Sequence, residues 1–327
     1  MSDQDPNCSD RLLRAEVTPA EAGQRLDQAL AGLFGEFSRS RLQDWVREGR
    51  VTVDGGQRRS RDRVLAGERI ELRARLDDQV AVRPQAIELV VVFEDEHLLV
   101  IDKPAGLVVH PAAGNPDGTV QNALLHHAPA LAALPRAGIV HRLDKDTTGL
   151  MVVAKTPAAH RHLVAALQAR AVKREYRAVA IGVPRGGGTV DAPIGRHPTQ
   201  RIRMAVHPAG KPAVTHYRVL ERFRAHSLLQ VNLETGRTHQ IRVHMAHIGY
   251  PLVGDALYGG RPKLPKRPSD HLVTALRGFG RQALHALRLG LPHPLTGEHM
   301  LWEAPLPADL AQLLEVLRED ASGPGLV

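Results

Sequence analysis

The stretch that decides the fold is HRLDKDTTGL, residues 141–150. An apolar run ending at Val140 leads into it, and a second apolar run, residues 150–154, leads out. This pattern predicts a polar loop between two buried strands, closed by the turn-forming Thr-Thr-Gly. Charged side chains that close to a core must be paired or hydrogen-bonded, and polar groups on a rigid scaffold are often functional. We therefore expect the reactive group of the protein in this loop.

The bulk composition indicates a polyanionic partner. The chain has 327 residues, which favours two domains, and 43% of them are hydrophobic, which is enough for a substantial core. The formal net charge of +8 predicts nucleic acid before membrane as the partner. Most of the 43 basic residues are Arg, which suits phosphate and base contacts; a bias towards GC-rich codons is the alternative explanation.

Cysteine usage and hydropathy predict a cytoplasmic protein. Cys8 is the only cysteine, so a disulfide within the chain is excluded. No apolar run approaches the length of a membrane span, and the first residues lack the apolar core of a signal peptide. We expect a soluble protein with no membrane partner.

The order of predicted elements divides the chain into a small and a large domain. We expect a flexible tail, a small domain, a linker, a larger domain and a second tail, at residues 1–20, 21–76, 77–88, 89–318 and 319–327. In the larger domain strands outnumber helices, and hairpins join several of them. That pattern predicts an α+β fold with a mixed, largely antiparallel sheet rather than a doubly wound one.

The small domain has the pattern of two helices followed by a β-hairpin, with Ser38 as the cap of the second helix. The stretches SRSRLQ (38–43) and GRVTVDG (49–55) resemble the S-four RNA-binding domain, over residues 22–75. The alternative is a solvated charged face on a generic small domain. The arginines expected to contact RNA are Arg39, Arg41, Arg50, Arg58 and Arg59.

Within the central loop, Asp144 is the candidate reactive group. Asp144 and Asp146 suggest a carboxylate pair for glycosidic chemistry, but Thr-Thr-Gly argues against a regular strand that places both on one face. A single nucleophilic carboxylate fits better, and a nearby cation keeps it ionised. Arg142 and Lys145 adjoin it in sequence, whereas Arg237, after a glycine at a strand end, is the candidate for a buried partner.

The motifs together resemble one family. Residues 139–156, with KPAGL (103–107) and residues 234–258, closely resemble bacterial ribosomal RNA pseudouridine synthases. The S-four head, GGRP (259–262) and RQALH (281–285) resemble the D-type branch, which modifies the helix 69 loop of large-subunit (23S) rRNA. The resemblance implies the pseudouridine synthase fold and no cofactor. The implied partner is 23S rRNA or a large-subunit precursor, with no obligate protein partner.

The same resemblance assigns catalytic roles to three residues. It makes Asp144 the nucleophile and Arg237 the residue that pairs with it. It places Tyr176 against the uracil, where it assists removal of the proton at carbon five. Uracil must leave the ribose through its ring nitrogen, rotate and rejoin through carbon five. The carboxylate either attacks the anomeric carbon or takes a proton from its neighbour, and the sequence leaves both routes open.

Four further residues are expected to contact the substrate or to support those that do. Ile241 lines the base pocket, and Arg142 enters the space that the flipped uridine leaves. His141 braces the loop by hydrogen bonding, and Leu143 completes the substrate-binding segment.

Two other functions are also compatible with the sequence. The first is a non-catalytic ribosome-assembly factor, and the second is the same chemistry on other rRNA or tRNA uridines. The spacing of His239, His244 and His247 also suggests a metal site. Because no cysteine and no obvious acidic ligand accompanies them, we expect no metal.

Overall fold

A computed structural model describes residues 9–35, 37, 39–76, 82–112, 114–200, 202–260 and 263–322. The chain divides into two compact units, an N-terminal unit Met1–Ala81 and a larger unit Val82–Val327. Several expectations fall outside the described residues: those for Cys8, the Ser38 cap, residues 1–8, 77–81, 261–262 and 323–327. No helix in the described part of the chain is long and apolar enough to cross a membrane.

The N-terminal unit packs two helices on a three-stranded antiparallel sheet. Its elements are β1 (Ser9–Glu16), α1 (Leu26–Leu33), α2 (Arg39–Arg47), β2 (Val51–Val53) and β3 (Arg69–Leu76), with strand order β1-β3-β2. The predicted helices and hairpin are therefore present. The expectation of a flexible tail over residues 1–20 is wrong from residue 9 onward, because β1 pairs with β3 along its length and Val17 is buried in the core.

The larger unit is built on one long sheet. Its strands are β4 (Val90–Glu94), β5 (Leu98–Lys103), β6 (Thr148–Ala154), β7 (Lys173–Ile181), β8 (Gly188–Asp191), β9 (Ile194–Arg196), β10 (Met204–Val206), β11 (Val214–Arg222), β12 (His226–Leu233), β13 (Leu284–Pro292) and β14 (His299–Glu303). Its helices are α3 (Val120–His127), α4 (Pro157–Gln168), α5 (Gln240–His247), α6 (Asp270–Gly278) and α7 (Ala308–Ser322), with 3-10 turns at Pro129–Ala133 and Pro135–Gly138.

The strand order is β4-β5-β6-β13-β7-β12-β11-β8, with β14 beside β13 and β9 paired separately with β10. All pairings among the described strands are antiparallel except that of β6 with β13. The fold is thus mixed and largely antiparallel, which confirms the predicted class. Strand β6 is buried along its whole length, because alternate residues pack into two separate cores on the two faces of the sheet.

The parallel pairing of β6 and β13 places the central loop. It joins Thr148 to His285 and Gly149 to Ala286. Gly149 has φ of 111°, and a β-carbon there lies 2.3 Å from the carbonyl oxygen of Ala286. Only glycine fits this approach. The residues just before Gly149 are therefore held against the start of β13.

Several expectations about the larger unit need correction. The lead-in to the central loop is not a strand: it consists of the 3-10 turns and one bridge between Ile139 and Val153. Residues 82–88, predicted to be linker, are hydrogen-bonded to the larger unit, since Asn122 donates to the carbonyl of Arg83. Helix α7 continues to Ser322, four residues beyond the expected boundary, because Asp320 is buried and accepts from Ser269 N–H and from Arg224.

Candidate active site

Asp144 lies on the turn before β6, and its carboxylate faces a pocket. The carbonyl of Asp144 accepts from Thr147 N–H at 3.1 Å, which closes the turn. Its side chain is 16% exposed and lines this pocket. Oδ2 accepts a hydrogen bond of 3.0 Å from Arg242 Nη1. The same contact is an ion pair between this carboxylate and the Arg242 guanidinium.

The counter-ion of Asp144 is Arg242. The sequence analysis predicted Arg237 for this role, and that prediction is wrong. Arg242 sits in the first turn of α5, with Nε and Nη2 donating to the two oxygens of Asp255 at 2.7 and 2.9 Å. Burial opposes its charge, but the hydrogen bonds to Asp255 and the charges of Asp255 and Asp144 outweigh it and raise the pKa of Arg242. Arg237 precedes the helix, and its Nε donates to the carbonyl of Pro212.

Apolar and aromatic side chains form part of the wall of this pocket, which we call the aspartate pocket. Its lining includes Asp144, Leu143, Tyr176, Ile241 and Leu284, and its cavity volume is about 50 Å³. Tyr176 is 5% exposed on β7, where burial and the nearby charge of Asp144 raise the pKa of its phenol. The phenol is therefore neutral at pH 7. Of the residues predicted for this site, Asp144, Tyr176, Ile241, Leu143, Arg142 and Arg237 all line the pocket.

A larger cavity adjoins the aspartate pocket, since Arg142, Arg174 and Arg237 line both. This arginine cavity has a volume of about 500 Å³. Its basic lining residues are Arg136, Arg142, Arg170, Arg174 and Arg237, with His110 and His141. Glu234 is the acidic residue among them, and it is already paired with Arg170. The cavity is thus suited to an anionic ligand next to Asp144.

His141 supports the loop by a hydrogen bond to strand β6. Its Nε2 accepts from the backbone N–H of Val152 at 3.0 Å, so its proton is on Nδ1. Burial, with a contribution from the charge of Arg174, lowers the pKa of His141 to about 3. A neutral ring that accepts a strand N–H fits the expected bracing role.

Three residues at the start of β13 hold the loop from the other side, and sequence reasoning did not assign them a role. Arg281 Nη1 donates to the carbonyl of Asp146 at 3.2 Å, and Gln282 Nε2 donates to Thr147 Oγ1 at 3.0 Å. The hydroxyl of Thr148 and Nδ1 of His285 share a hydrogen bond of 2.8 Å. The sequence feature that could have identified these three residues is the motif RQALH at residues 281–285.

Lys103 also supports the loop, through the carbonyl of Lys145. It belongs to the motif KPAGL, but the sequence analysis gave it no role. Its side chain is completely buried, and Nζ donates to the carbonyls of Pro104, Leu107 and Lys145 at 2.7, 2.9 and 2.8 Å. Burial lowers the pKa of Lys103 to about 8, although the charges of Asp146 and Asp144 oppose the shift. A lysine inside an apolar strand was the available signal, because a fully buried lysine is rare.

Two of the three histidines considered as metal ligands contact other groups. Nδ1 of His239 is 2.8 Å from the Tyr258 hydroxyl, and His244 contacts Thr215 Oγ1 and the carbonyl of Ala192. Within the described ranges no group of three or more histidine, cysteine or acidic side chains is placed to hold a metal ion.

In the N-terminal unit, the predicted RNA-binding arginines differ in their surroundings. Arg39 donates to the buried Asp27, and Arg58 makes a two-point contact with Glu68. Arg59 contacts Asp62 but remains 71% exposed, and Arg41 stacks on Trp45 with 5.0 Å to the ring centroid. Arg50 is 3.2 Å from Glu48. The first two therefore stabilise the unit, and Arg59 is the most available of these side chains for a ligand.

Comparison with known proteins identifies the class. Residues 97–247 match the RNA pseudouridylate synthase family, and residues 24–70 match the S4 (S-four) domain. Human RNA pseudouridylate synthase domain containing 4 has a similar structure, with a TM-score of 0.56 and 28% identity, over 70% of this chain and 93% of that one. The chain belongs to the RNA pseudouridylate synthase family and is an enzyme of that class.

Relatives within the family extend over nearly the whole chain. Ribosomal large subunit pseudouridine synthase D of Pseudomonas aeruginosa is 63% identical over 95% of this chain and 98% of its own length. The Escherichia coli protein of the same description is 58% identical over 94% of this chain and 95% of its own. The predicted family and its D-type resemblance are both confirmed.

Proposed function

We propose that this enzyme isomerises specific uridines to pseudouridine in 23S rRNA of the large ribosomal subunit, with Asp144 as the nucleophile. The observation that carries the proposal is the pairing of Asp144 with Arg242 in the aspartate pocket, which adjoins the arginine cavity. An ionised carboxylate is what both chemical routes require. The descriptions of the relatives support the large-subunit substrate.

The two cavities suit a nucleotide that has left its stack. The apolar wall of Tyr176, Leu143 and Ile241 offers a surface on which uracil stacks, and Tyr176 assists removal of the proton at carbon five. The arginine cavity binds the phosphates on either side of it. Arg142 is exposed at the boundary of the two cavities, and its side chain enters the space that the flipped base leaves.

The target we propose is the helix 69 loop, on the strength of the D-type resemblance, and the enzyme acts in the cytoplasm. The N-terminal unit adds affinity through phosphate contacts that carry no sequence information. Flipping costs least where the base is already unpaired, so a loop uridine is the favoured substrate.

The test combines one substitution with a map of the pseudouridine positions in rRNA. Asp144→Asn preserves the size of the side chain and its hydrogen bond from Arg242 but removes the negative charge. We expect rRNA binding to persist and pseudouridine formation to disappear, measured as tritium release from 5-tritiated uridine in the transcript. Full turnover by this variant contradicts the assignment of the nucleophile. Unchanged pseudouridines in helix 69 after deletion of the gene contradict the target.

A further inference from the structure

His239 is a polar residue at the aspartate pocket that the proposed chemistry leaves without a role. It is the residue before α5, where its backbone has φ of 56° and ψ of 22°. Histidine is one of the few side chains enriched in this left-handed region, and such conformations at a pocket often accompany function. The turn directs the ring into the pocket lining, where its side chain is 21% exposed.

A chain of hydrogen bonds fixes which ring nitrogen carries the proton. The backbone N–H of Met204 donates to the Tyr258 hydroxyl oxygen at 2.9 Å. That oxygen lies 2.8 Å from Nδ1 of His239. If Nδ1 carried the proton, the phenol would accept twice and its own proton would lack an acceptor among the residues that the structure describes. The arrangement that satisfies every group has Tyr258 donating to Nδ1, which leaves the proton of His239 on Nε2.

The nitrogen that carries this proton lies near the second oxygen of the Asp144 carboxylate. Oδ2 of Asp144 accepts from Arg242, whereas Oδ1 lies 3.9 Å from His239 Nε2. This distance is too long for a hydrogen bond, but a single polar atom can contact both groups. Such an atom must donate to a carboxylate and accept from an N–H, and a hydroxyl does both.

The ring is neutral when it does so. Burial lowers the pKa of His239, opposed by the charge of Asp144. The other charged groups that face it are Arg242, which lowers its pKa, Asp255, which raises it, and Arg142, which lowers it. A neutral donor at this position leaves Asp144 free to react.

We propose that His239 and Asp144 together bind the ribose 2′-hydroxyl of the target nucleotide. The hydroxyl donates to Asp144 Oδ1 and accepts from His239 Nε2–H. The inference rests on the proposed function, since it assumes that a uridine occupies the pocket. It makes His239 a specificity-determining residue, because the 2′-hydroxyl is the group by which a protein distinguishes RNA from DNA.

The experiment is a cycle of one protein change and one substrate change. The two substrates are an RNA stem-loop containing the target uridine and the same RNA with 2′-deoxyuridine at that position only. The protein change is His239→Asn, because asparagine tolerates the left-handed backbone but its shorter side chain does not reach Asp144. Single-turnover rate constants are measured for both proteins on both RNAs.

On the all-ribose RNA we expect His239→Asn to lower the rate constant by about tenfold, the size of one lost hydrogen bond. On the 2′-deoxy RNA we expect the two proteins to differ by less than about twofold, since the contact is absent in both. Tyr258→Phe keeps the ring but removes the hydroxyl, and we expect it to reproduce part of the loss on the all-ribose RNA alone.

His239→Gln tests rescue, because its amide N–H extends further and is expected to recover part of the rate. The matched control is His271→Asn, an exposed histidine on α6. Equal losses on the two RNAs overturn the proposal, since they show that His239 acts independently of the 2′-hydroxyl. Absence of pseudouridine from the wild-type reaction instead refutes the proposed function, so the two failures are distinguishable.

Discussion

Arg242 and Asp144, separated by 98 residues in sequence, form the ion pair at the centre of the candidate active site. The guanidinium is shared, because two of its nitrogens hold Asp255 while the third reaches Asp144. One arginine thus fixes the orientation of the Asp144 carboxylate and balances a second buried charge.

The first prediction concerns this pair. We expect Arg242→Gln to lower kcat by about 100-fold or more, because the carboxylate of Asp144 loses its fixed orientation. The free energy of unfolding should fall by about 3–5 kcal/mol, since Asp255 is left as an uncompensated buried charge. Steady-state kinetics and urea unfolding check the two effects. The comparison variant is Arg237→Gln, for which we expect a raised KM and a nearly unchanged kcat. A larger loss of kcat in Arg237→Gln than in Arg242→Gln contradicts the assignment.

The second prediction concerns the support of the loop by β13. Gln282→Met keeps the side-chain volume but removes the donor to the buried Thr147 hydroxyl. We expect stability to fall by about 1 kcal/mol and kcat by about tenfold, with RNA affinity retained. Single-turnover kinetics measures the loss of rate, and a filter-binding titration measures the RNA affinity. Gln312→Met, on the exposed face of α7, is the control. Weakened binding with unchanged kcat is the result that excludes a positioning role.

The third prediction concerns Lys103 and pH. Burial lowers its pKa from 10.5 to about 8, so between these values the unfolded chain holds a proton that the folded chain has released. The penalty for burying the charge is fully present below pH 8 and disappears as the pH rises towards 10.5. Relative to Lys103→Met, the free energy of unfolding of the wild type should therefore rise over this window, by on the order of 3 kcal/mol.

Denaturant titrations of both proteins between pH 7.5 and 10 measure this difference directly, about every half unit. Lys173→Met serves as the control, because that side chain is exposed on β7. A constant difference between the wild type and Lys103→Met across the window rules out the shifted pKa.

The fourth prediction separates two neighbouring arginines of the N-terminal unit. Arg58 is held by Glu68, so Arg58→Ala should lower stability by about 1–3 kcal/mol. Arg59 is exposed, and Arg59→Ala should leave stability unchanged but weaken RNA binding and reduce the slope of log K against log salt by about one. Thermal unfolding and binding at several salt concentrations check both. An unchanged salt slope in Arg59→Ala contradicts a phosphate contact at this residue.

Local signals in the sequence predicted much of the fold. Helices α3 and α4 begin after Thr119 and Thr156, whose side chains accept from backbone N–H groups three residues on, so these helix starts are set by residues within one turn. Strands β8, β9 and β10 were missed, since they are short and lie between glycine- and proline-rich segments. Helix α6 was not predicted, although Ser269 caps it by accepting from Leu272 N–H.

The candidate site was predicted less completely, for a physical reason. The signature around Asp144 is local and could be read directly. Which arginine pairs with Asp144 depends on the direction of α5. Arg237 and Arg242 are equally good candidates until it is known which of them faces the loop. The supports from Lys103 and Gln282 depend in the same way on strand pairing, which a linear pattern does not specify.

The carboxylate of Asp255 has a consequence for any attempt to redesign the enzyme. Besides holding Arg242, it accepts from the backbone N–H groups of Leu257 and Tyr258 at 3.0 Å, so it also places the aromatic ring that stacks on Arg242. A library that varies Asp255 therefore disturbs both Arg242, which pairs with Asp144, and the Tyr258 ring in one step. Selection for a different base should keep Asp255 fixed and diversify Leu143 and Ile241, which line the pocket without holding any charge.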